Sequence, residues 1–269
     1  MRVLPGFGLS LGITLAWLGV IVLLPLAAMC AKALGLSWDE LWRVWSEPRV
    51  LAALQLSLLA AALAAAINLI TGLLLAWVLV RYRFPGRQLA DALVDLPFAL
   101  PTAVAGIALT ALYAKTGWYG EPLAGLGISV AFTPLAVVVA LTFVTLPFVV
   151  RTVQPVIEAL PVEIEEAAAS LGASRWQTFR RVILPELIPA LATGFALAFA
   201  RGLGEFGSVV FVSGNIPLKT EILPVVIIGK LDQYRIQEAT AVALLMLVLS
   251  FIMLTVIGLL QRWAQRRAA

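Results

Sequence analysis

The 269-residue chain contains no histidine and a single cysteine, Cys30. Those two scarcities exclude an intrachain disulfide, a Cys/His metal cluster and any Ser-His or Cys-His catalytic arrangement. Charge is scarce too, with only 13% of residues Asp, Glu, Lys or Arg. A glycine-rich Gly-x-x-x-x-Gly-Lys-Ser/Thr phosphate loop is also missing, so any ATP used with this chain must be bound by another subunit. The chain is instead dominated by apolar residues, at 62% of the total and a mean hydropathy of +1.01. A soluble domain of this length has too little interior to bury that much apolar surface. The chain is therefore expected to be an integral membrane protein. Hydrocarbon supplies no hydrogen-bond partners, so crossing segments must be helices or a closed barrel. The apolar runs here extend to roughly 20 residues without strict alternation, which selects an all-α membrane fold.

Six spans are expected, at 12–33, 50–80, 91–113, 132–150, 187–212 and 239–260. The first is longer than the ~7 to 15 residue apolar core of a secretion signal and is read as a retained span. Trp38, Trp42 and Trp45 mark 37–49 as interfacial, because indole rings prefer the headgroup level. Pro97 and Pro101 remove two backbone donors near the start of the third span and make it a candidate flexible gate. Asp91 and Asp95 beside them read either as helix-start residues or as part of that gate. The stretch 221–237 is too polar to cross simply and is expected to be a short or re-entrant helix.

An even number of spans puts both termini on one side. With the amino terminus inside, the inner segments carry 11 Lys and Arg and the outer ones 7. The excess favours cytoplasmic termini and a cytoplasmic loop at 158–186. The net charge of +4 is spread over loops instead of forming one patch, so it speaks for topology and not for nucleic acid. The whole of 1–269 reads as one transmembrane domain, with its core at 50–260.

The loop 158–186 is the one sizeable polar island. Pro161 suits a first helical position, and Glu163, Glu165 and Glu166 occupy the first turns, where the helix dipole favours negative charge. Gly172 permits the left-handed backbone that ends a helix, and Ser174 followed by Gln177 is a capping-box pattern for a second one. Trp176, Phe179, Ile183 and Leu184 form an apolar stripe on that second helix, while Arg175, Arg180 and Arg181 can meet lipid headgroups or a partner. By itself this pattern also fits an ordinary amphipathic connector lying on the membrane.

The spacing is more specific. Glu166-Ala167-Ala168, three residues, Gly172, nine residues, then Val182-Ile183-Leu184-Pro185 resembles the EAA motif of permease subunits in bacterial ABC importers. The resemblance implies the type I importer permease fold, an inner-membrane location, and a coupling role for Glu166, Ala167, Ala168, Gly172, Leu184 and Pro185 in the cleft of a cytoplasmic ATPase. It extends over nearly the whole chain. Residues 81–87, 95–106 and 147–155 and the block Gly204-Glu205-Phe206-Gly207 are similar to oxyanion permeases of the sulfate and molybdate group. Val3-Leu4-Pro5-Gly6-Phe7, Ser213-Gly214-Asn215-Ile216 and Lys219-Thr220-Glu221 resemble the T-type sulfate/thiosulfate permeases within it. This implies a partner W-type permease or a second copy, an ATPase dimer carrying ATP and Mg, and a periplasmic sulfate/thiosulfate-binding protein. No cofactor is expected on this chain. A molybdate or tungstate permease is the alternative within transport, and a membrane scaffold or enzyme working without an ATPase is the alternative outside it.

Arg201 and Glu205 are the conspicuous ionisable residues within a span. An unpaired arginine near the bilayer centre costs ~2.5 to 3.5 kcal/mol or more, so both should face protein or water, and their i,i+4 spacing lets them meet. They read either as a structural ion pair or as a polar element bordering an anion path that continues through Ser208, Ser213 and Asn215. Gly202, Gly204 and Gly207 are expected to serve close packing against the partner permease. Lys219 falls in an outer loop.

Overall fold

The computed structural model describes residues 7–268, with side chains described as far as residue 259. The leader with Arg2 and residues 3–6 of the amino-terminal resemblance lie outside the described residues, as do the side chains of the basic run 262–267. In chain order the helices are α1 (Phe7–Leu18), α2 (Leu24–Leu34), α3 (Trp38–Trp45), α4 (Pro48–Arg81), α5 (Arg87–Val94), α6 (Leu96–Ala99), α7 (Thr102–Tyr113) and α8 (Gly120–Gly125). They continue as α9 (Pro134–Ala159), α10 (Val162–Ser170), α11 (Arg175–Thr178), α12 (Leu184–Leu203), α13 (Gly207–Val212), α14 (Leu223–Asp232) and α15 (Ile236–Ala268).

Among the described residues five helices are long and apolar enough to cross a membrane: Phe7–Leu34, Pro48–Arg81, Pro134–Ala159, Arg175–Leu203 and Ile236–Leu259. The third expected crossing, 91–113, is segmented into α5, α6 and α7 instead of forming one such helix. Its breaks fall where the prolines act: Leu100, held extended at ψ 135° before Pro101, cannot continue α6. The fifth differs from expectation at both ends. A π-turn at Phe179–Ile183 joins α11 to α12, so the helix begins at Arg175, and it stops at Leu203 short of α13. A second π-turn, Gly19–Leu23, joins α1 to α2. Each π-turn lies just ahead of a proline, Pro185 or Pro25, whose missing N–H breaks the regular ladder.

Helices α4, α9 and α12 form the packed centre. Ala60, Ala61, Ala64, Ala65 and Ala76 on α4 are almost fully buried and let the backbones approach. Val149 of α9 sits between Gly72 and Gly194, where added Cβ atoms would lie 2.8 Å from its Cγ1 and 3.1 Å from its Cα respectively. Buried Asn68 donates to the Thr142 carbonyl and to Thr145 Oγ1, each at 2.9 Å, so the one amide in this apolar layer is satisfied. Helix α1 contributes no buried residue and lies at the periphery.

A second cluster gathers at the end of the 34-residue α4 opposite Arg81. Leu41 and Val44 of α3 pack with Val50 and Ala53 of α4, Leu223 and Val226 of α14, and Ala241 and Val242 of α15. Trp45 donates its indole N–H to the Ala241 carbonyl at 2.8 Å, whereas Trp38 and Trp42 stay exposed in keeping with an interfacial segment. Ser37 and Glu40 form a capping box at the start of α3, with the same three-residue spacing as Ser174 and Gln177. The Ser37 N–H and hydroxyl hold the exposed Glu40 carboxyl below its ordinary pKa. Glu221, Lys230 and Arg235 of 221–237 are held in ion pairs, whereas the polar residues at 232–234 stay exposed. Arg49 grips Glu221 through two bonds of 2.7 and 2.6 Å, and buried Lys230 reaches Glu47 at 2.7 Å and Glu238 at 2.9 Å. This stretch folds as the short helix α14.

Candidate functional site: the polar segment and the broken helices

The polar island begins where α9 ends at Ala159. Helix α10 starts at Val162, with Pro161 as its N-cap instead of its first helical residue, and Glu163 and Glu165 in its first turn. Gly172 has φ +82°, the left-handed conformation that terminates α10 without a Cβ clash. Ser174 Oγ then accepts from the Gln177 N–H at 3.3 Å, and Gln177 Oε1 accepts from the Ser174 N–H at 2.8 Å. The capping box is therefore formed. It opens no free second helix, because α11 is the first turn of the long Arg175–Leu203 element. Of the expected stripe, Ile183 is buried, Phe179 packs edge-on against Trp77 of α4, and Trp176 stacks on Phe179 while remaining 64% exposed.

This segment is tied to the membrane part at one charged point. Arg81, the last residue of α4, pairs with Glu165 at 2.8 Å and donates to the Leu160 carbonyl at 3.3 Å. Glu166, Ala167 and Gly172 remain exposed, as do Leu171 at 89%, Val162 and Ile164. A segment braced from behind, with apolar side chains left outward, has the character of an interface. Leu184 is partly buried and Pro185 exposed at the start of α12, on the membrane side of the π-turn.

The far end of the same helix carries the pair expected inside a span, but the helix stops at Leu203, so that Arg201 lies in its last turn and Glu205 just beyond it. Arg201 Nη2 lies 2.7 Å from Glu205 Oε2, and the other carboxylate oxygen accepts 2.9 Å bonds from the Ser208 N–H and hydroxyl. Glu205 is 1% exposed. It thereby joins the end of α12 to the start of α13 across the break at 204–206 and covers orphan donors of α13. The Arg201 side chain is 34% exposed, and Nε and Nη1 make no hydrogen bond among the described residues. Ser213 and Asn215 hydrogen-bond each other at 3.0 Å, and the Asn215 amide donates to the Val210 carbonyl at 2.7 Å. Those two polar groups close the end of α13, and the structure brings them to the same short helix as Ser208 without joining them to Arg201.

The break is held by a backbone contact with α7. A Cβ on Gly106 would fall 2.4 Å from the Ser208 carbonyl oxygen, and one on Gly207 would fall 2.1 Å from Thr102 Oγ1. Gly207 is thus packed closely inside the chain, as is Gly202 against Ala61 at 3.4 Å. Pro101 lies at the head of α7 and Pro97 is buried in α6. The two segmented crossings therefore meet break to break.

At the opposite end of the third crossing is a cluster that sequence reasoning divided among separate roles. Arg151 of α9 grips Asp95 through two bonds of 2.8 and 2.6 Å, reaches the Asp91 carboxylate at 2.7 Å and carbonyl at 2.9 Å, and touches Gln154 at 2.6 Å. The visible signal was the i,i+4 spacing of the two aspartates; their partner lies 56 residues on from Asp95. With its charge matched there, α9 runs on to Ala159 instead of ending near 150. Arg151→Ala would leave two carboxylates facing each other without a cation. Because all three groups are partly exposed, the expected loss is about 1 to 2 kcal/mol, checked as a lowered unfolding midpoint in detergent; an unchanged midpoint would show the cluster to be dispensable.

Comparison with known proteins bears on the same elements. Residues 68–269, from mid-α4 through the polar segment to the end, match the family described as binding-protein-dependent transport system inner membrane component. The chain is 52% identical over 266 residues to the sulfate transport system permease protein CysT of Escherichia coli strain K12, covering 99% of this chain and 96% of that one. It is 47% identical to the CysT of Synechocystis, covering 95% and 90%. Among solved structures, a bacterial ABC transporter involved in the import of the acidic polysaccharide alginate superposes with TM-score 0.78 over 96% of both chains at 16% identity. A methionine ABC transporter in an inward-facing conformation gives 0.60 at 19% identity, over 85% of this chain and 99% of that one. The latter two show the fold alone. The braced polar segment, the broken crossings and the near-full-length likeness to sulfate permeases together place this multi-pass membrane chain in the family of binding-protein-dependent transport system inner membrane components.

Proposed function

We infer that this chain is the transmembrane permease subunit of an ATP-driven sulfate/thiosulfate importer, forming half of the translocation path. The observation that carries the reading is the 52% identity to a sulfate permease over 99% of the chain. The coupling geometry supports it. A partner ATPase dimer, carrying ATP and Mg, would seat against α10 and the elbow at Gly172, a second permease of W type or a second copy would complete the path, and a periplasmic binding protein would deliver the anion.

Electrostatics explains the need for ATP. Bringing a dianion into a negative cell costs about twice 2.3 kcal/mol per 100 mV, before any concentration gradient. A passive pore would lose sulfate, so an energy input is required. The helix that begins beside the elbow at Arg175 continues through the π-turn to Leu203, two residues from Glu205. Displacement of the coupling end therefore moves the Arg201–Glu205 end as one body, hinged at the break and at the Pro97–Pro101 segment.

The test is ATP-dependent uptake of labelled sulfate by vesicles holding the permease pair, the ATPase and the binding protein. Uptake lowered by excess thiosulfate but not by molybdate supports the assignment; vesicles that take up labelled molybdate and not labelled sulfate assign a molybdate permease. In the same vesicles Gly172→Leu, strained at positive φ, and Glu166→Lys are expected to lower uptake tenfold or more while the chain still inserts. Normal uptake in both variants would remove the coupling account.

A further inference from the structure

A cleft of about 910 Å³ opens between the last turns of α4 and the coupling segment. Its walls change character along α4. Leu73, Leu74 and Trp77 line one part, with Ile183 of the π-turn, whereas Arg81, Arg83 and Arg87 line the part beyond, together with Arg175. The charges do not balance. Glu165 is the one acidic lining residue, and Arg81 already holds it at 2.8 Å. Arg83, Arg87 and Arg175 have no carboxylate partner among the described residues. Arg81 itself lies over the Trp77 ring at 5.7 Å, and its Nε is buried without an acceptor.

An apolar wall that becomes arginine-rich at a helix end matches an amphipathic anion. A free inorganic anion would use the arginines but gain nothing from Leu74 and Trp77. The apolar part is also continuous with the exposed face of α4, where Ile70 is 67%, Leu74 60% and Val78 40% exposed, an apolar face on a helix long enough to cross a membrane. Arginine is suited to the headgroup because its fork presents paired donors to phosphate oxygens.

We propose that this cleft holds one anionic phospholipid, its phosphate on Arg83, Arg87 and Arg175 and its acyl chains along Leu74 and Trp77. The lipid then bridges the end of α4 to the first turn of the coupling helix, beside the Arg81–Glu165 contact. Only the leaflet, the cytoplasmic one, rests on the importer reading; the binding itself does not, and it is measured without transport.

The experiment uses the complete transporter in nanodiscs of phosphatidylcholine, doped with a few per cent of brominated phosphatidylglycerol or, separately, brominated phosphatidylcholine. Quenching assigned to Trp77, taken as the difference between wild type and Trp77→Phe, should reach half its maximum at roughly a hundredfold lower fraction of the anionic lipid, as three basic contacts imply. In the triple variant Arg83→Gln, Arg87→Gln, Arg175→Gln that preference should fall to a few-fold. Equal quenching by the two lipids, an unchanged preference in the triple variant, or displacement of the brominated lipid by millimolar inorganic phosphate would each overturn the proposal, the last by showing a free-anion site. If the triple variant does not assemble, the wild-type comparison of the two lipids decides alone.

Discussion

Gly106→Ala is expected to cost the protein up to about 3 kcal/mol and most of its transport, the upper end of the range for overpacking. The added methyl would lie 2.4 Å from the Ser208 carbonyl oxygen and 2.9 Å from its Cα. Both atoms belong to backbone, so no side chain can rotate away. Relief requires α7 and α13 to separate, which pulls on the Ser208 N–H that Glu205 holds at 2.9 Å and on the Thr110 hydroxyl that reaches the Phe211 carbonyl at 3.3 Å. Gly125→Ala is the control, since its methyl would meet nothing within 4 Å. The unfolding midpoint of the detergent-solubilised transporter and uptake per assembled complex should both fall for the first variant and hold for the second. A Gly106→Ala protein indistinguishable from wild type would show that α7 and α13 do not touch in this way.

Arg201→Ala is expected to lower sulfate uptake per assembled complex by roughly ten- to hundredfold, the worth of a hydrogen bond to a charged group at about 1.5 to 3 kcal/mol. Lys219→Ala in the outer loop should cost less than about twofold, as for an exposed charge. The pair of readings for Arg201, structural ion pair or anion contact, separates on a third variant. Glu205→Gln removes the negative charge 2.7 Å from Arg201 and leaves an amide oxygen able to accept from Ser208. If Arg201 meets the passing dianion, uptake per complex survives in Glu205→Gln better than in Arg201→Ala, and the apparent affinity for sulfate does not weaken. A purely structural pair predicts equal losses in the two, tracking the unfolding midpoint. Lys219→Ala exceeding Arg201→Ala would move the anion contact to the outer loop.

Much of this molecule is local and therefore readable along the chain. Span lengths follow from hydrocarbon thickness, the elbow at Gly172 from the absence of a Cβ, and the Ser174–Gln177 cap from a three-residue spacing. The Arg201–Glu205 contact follows in the same way from i,i+4 geometry. The shape of the polar segment was thus legible almost residue by residue, apart from the π-turn that fuses its second part to α12.

Contacts between partners far apart in sequence came only with the packed bundle. Asp95 does stand at the start of α6, but nothing along the chain shows that Arg151, on another helix, is brought between it and Asp91. Gly207 gives no sign along the chain that α7 packs against it, and the broken third crossing is tolerated only because α9 and α13 pack beside its pieces. Hydropathy measures what a segment prefers to be surrounded by, not which segment supplies the surroundings. The order of residues alone therefore established that the chain crosses the membrane, where it turns, and which polar segment is shaped to meet a partner. How the two broken helices meet was settled by packing, because a backbone-to-backbone approach of glycines leaves no periodic trace in either helix.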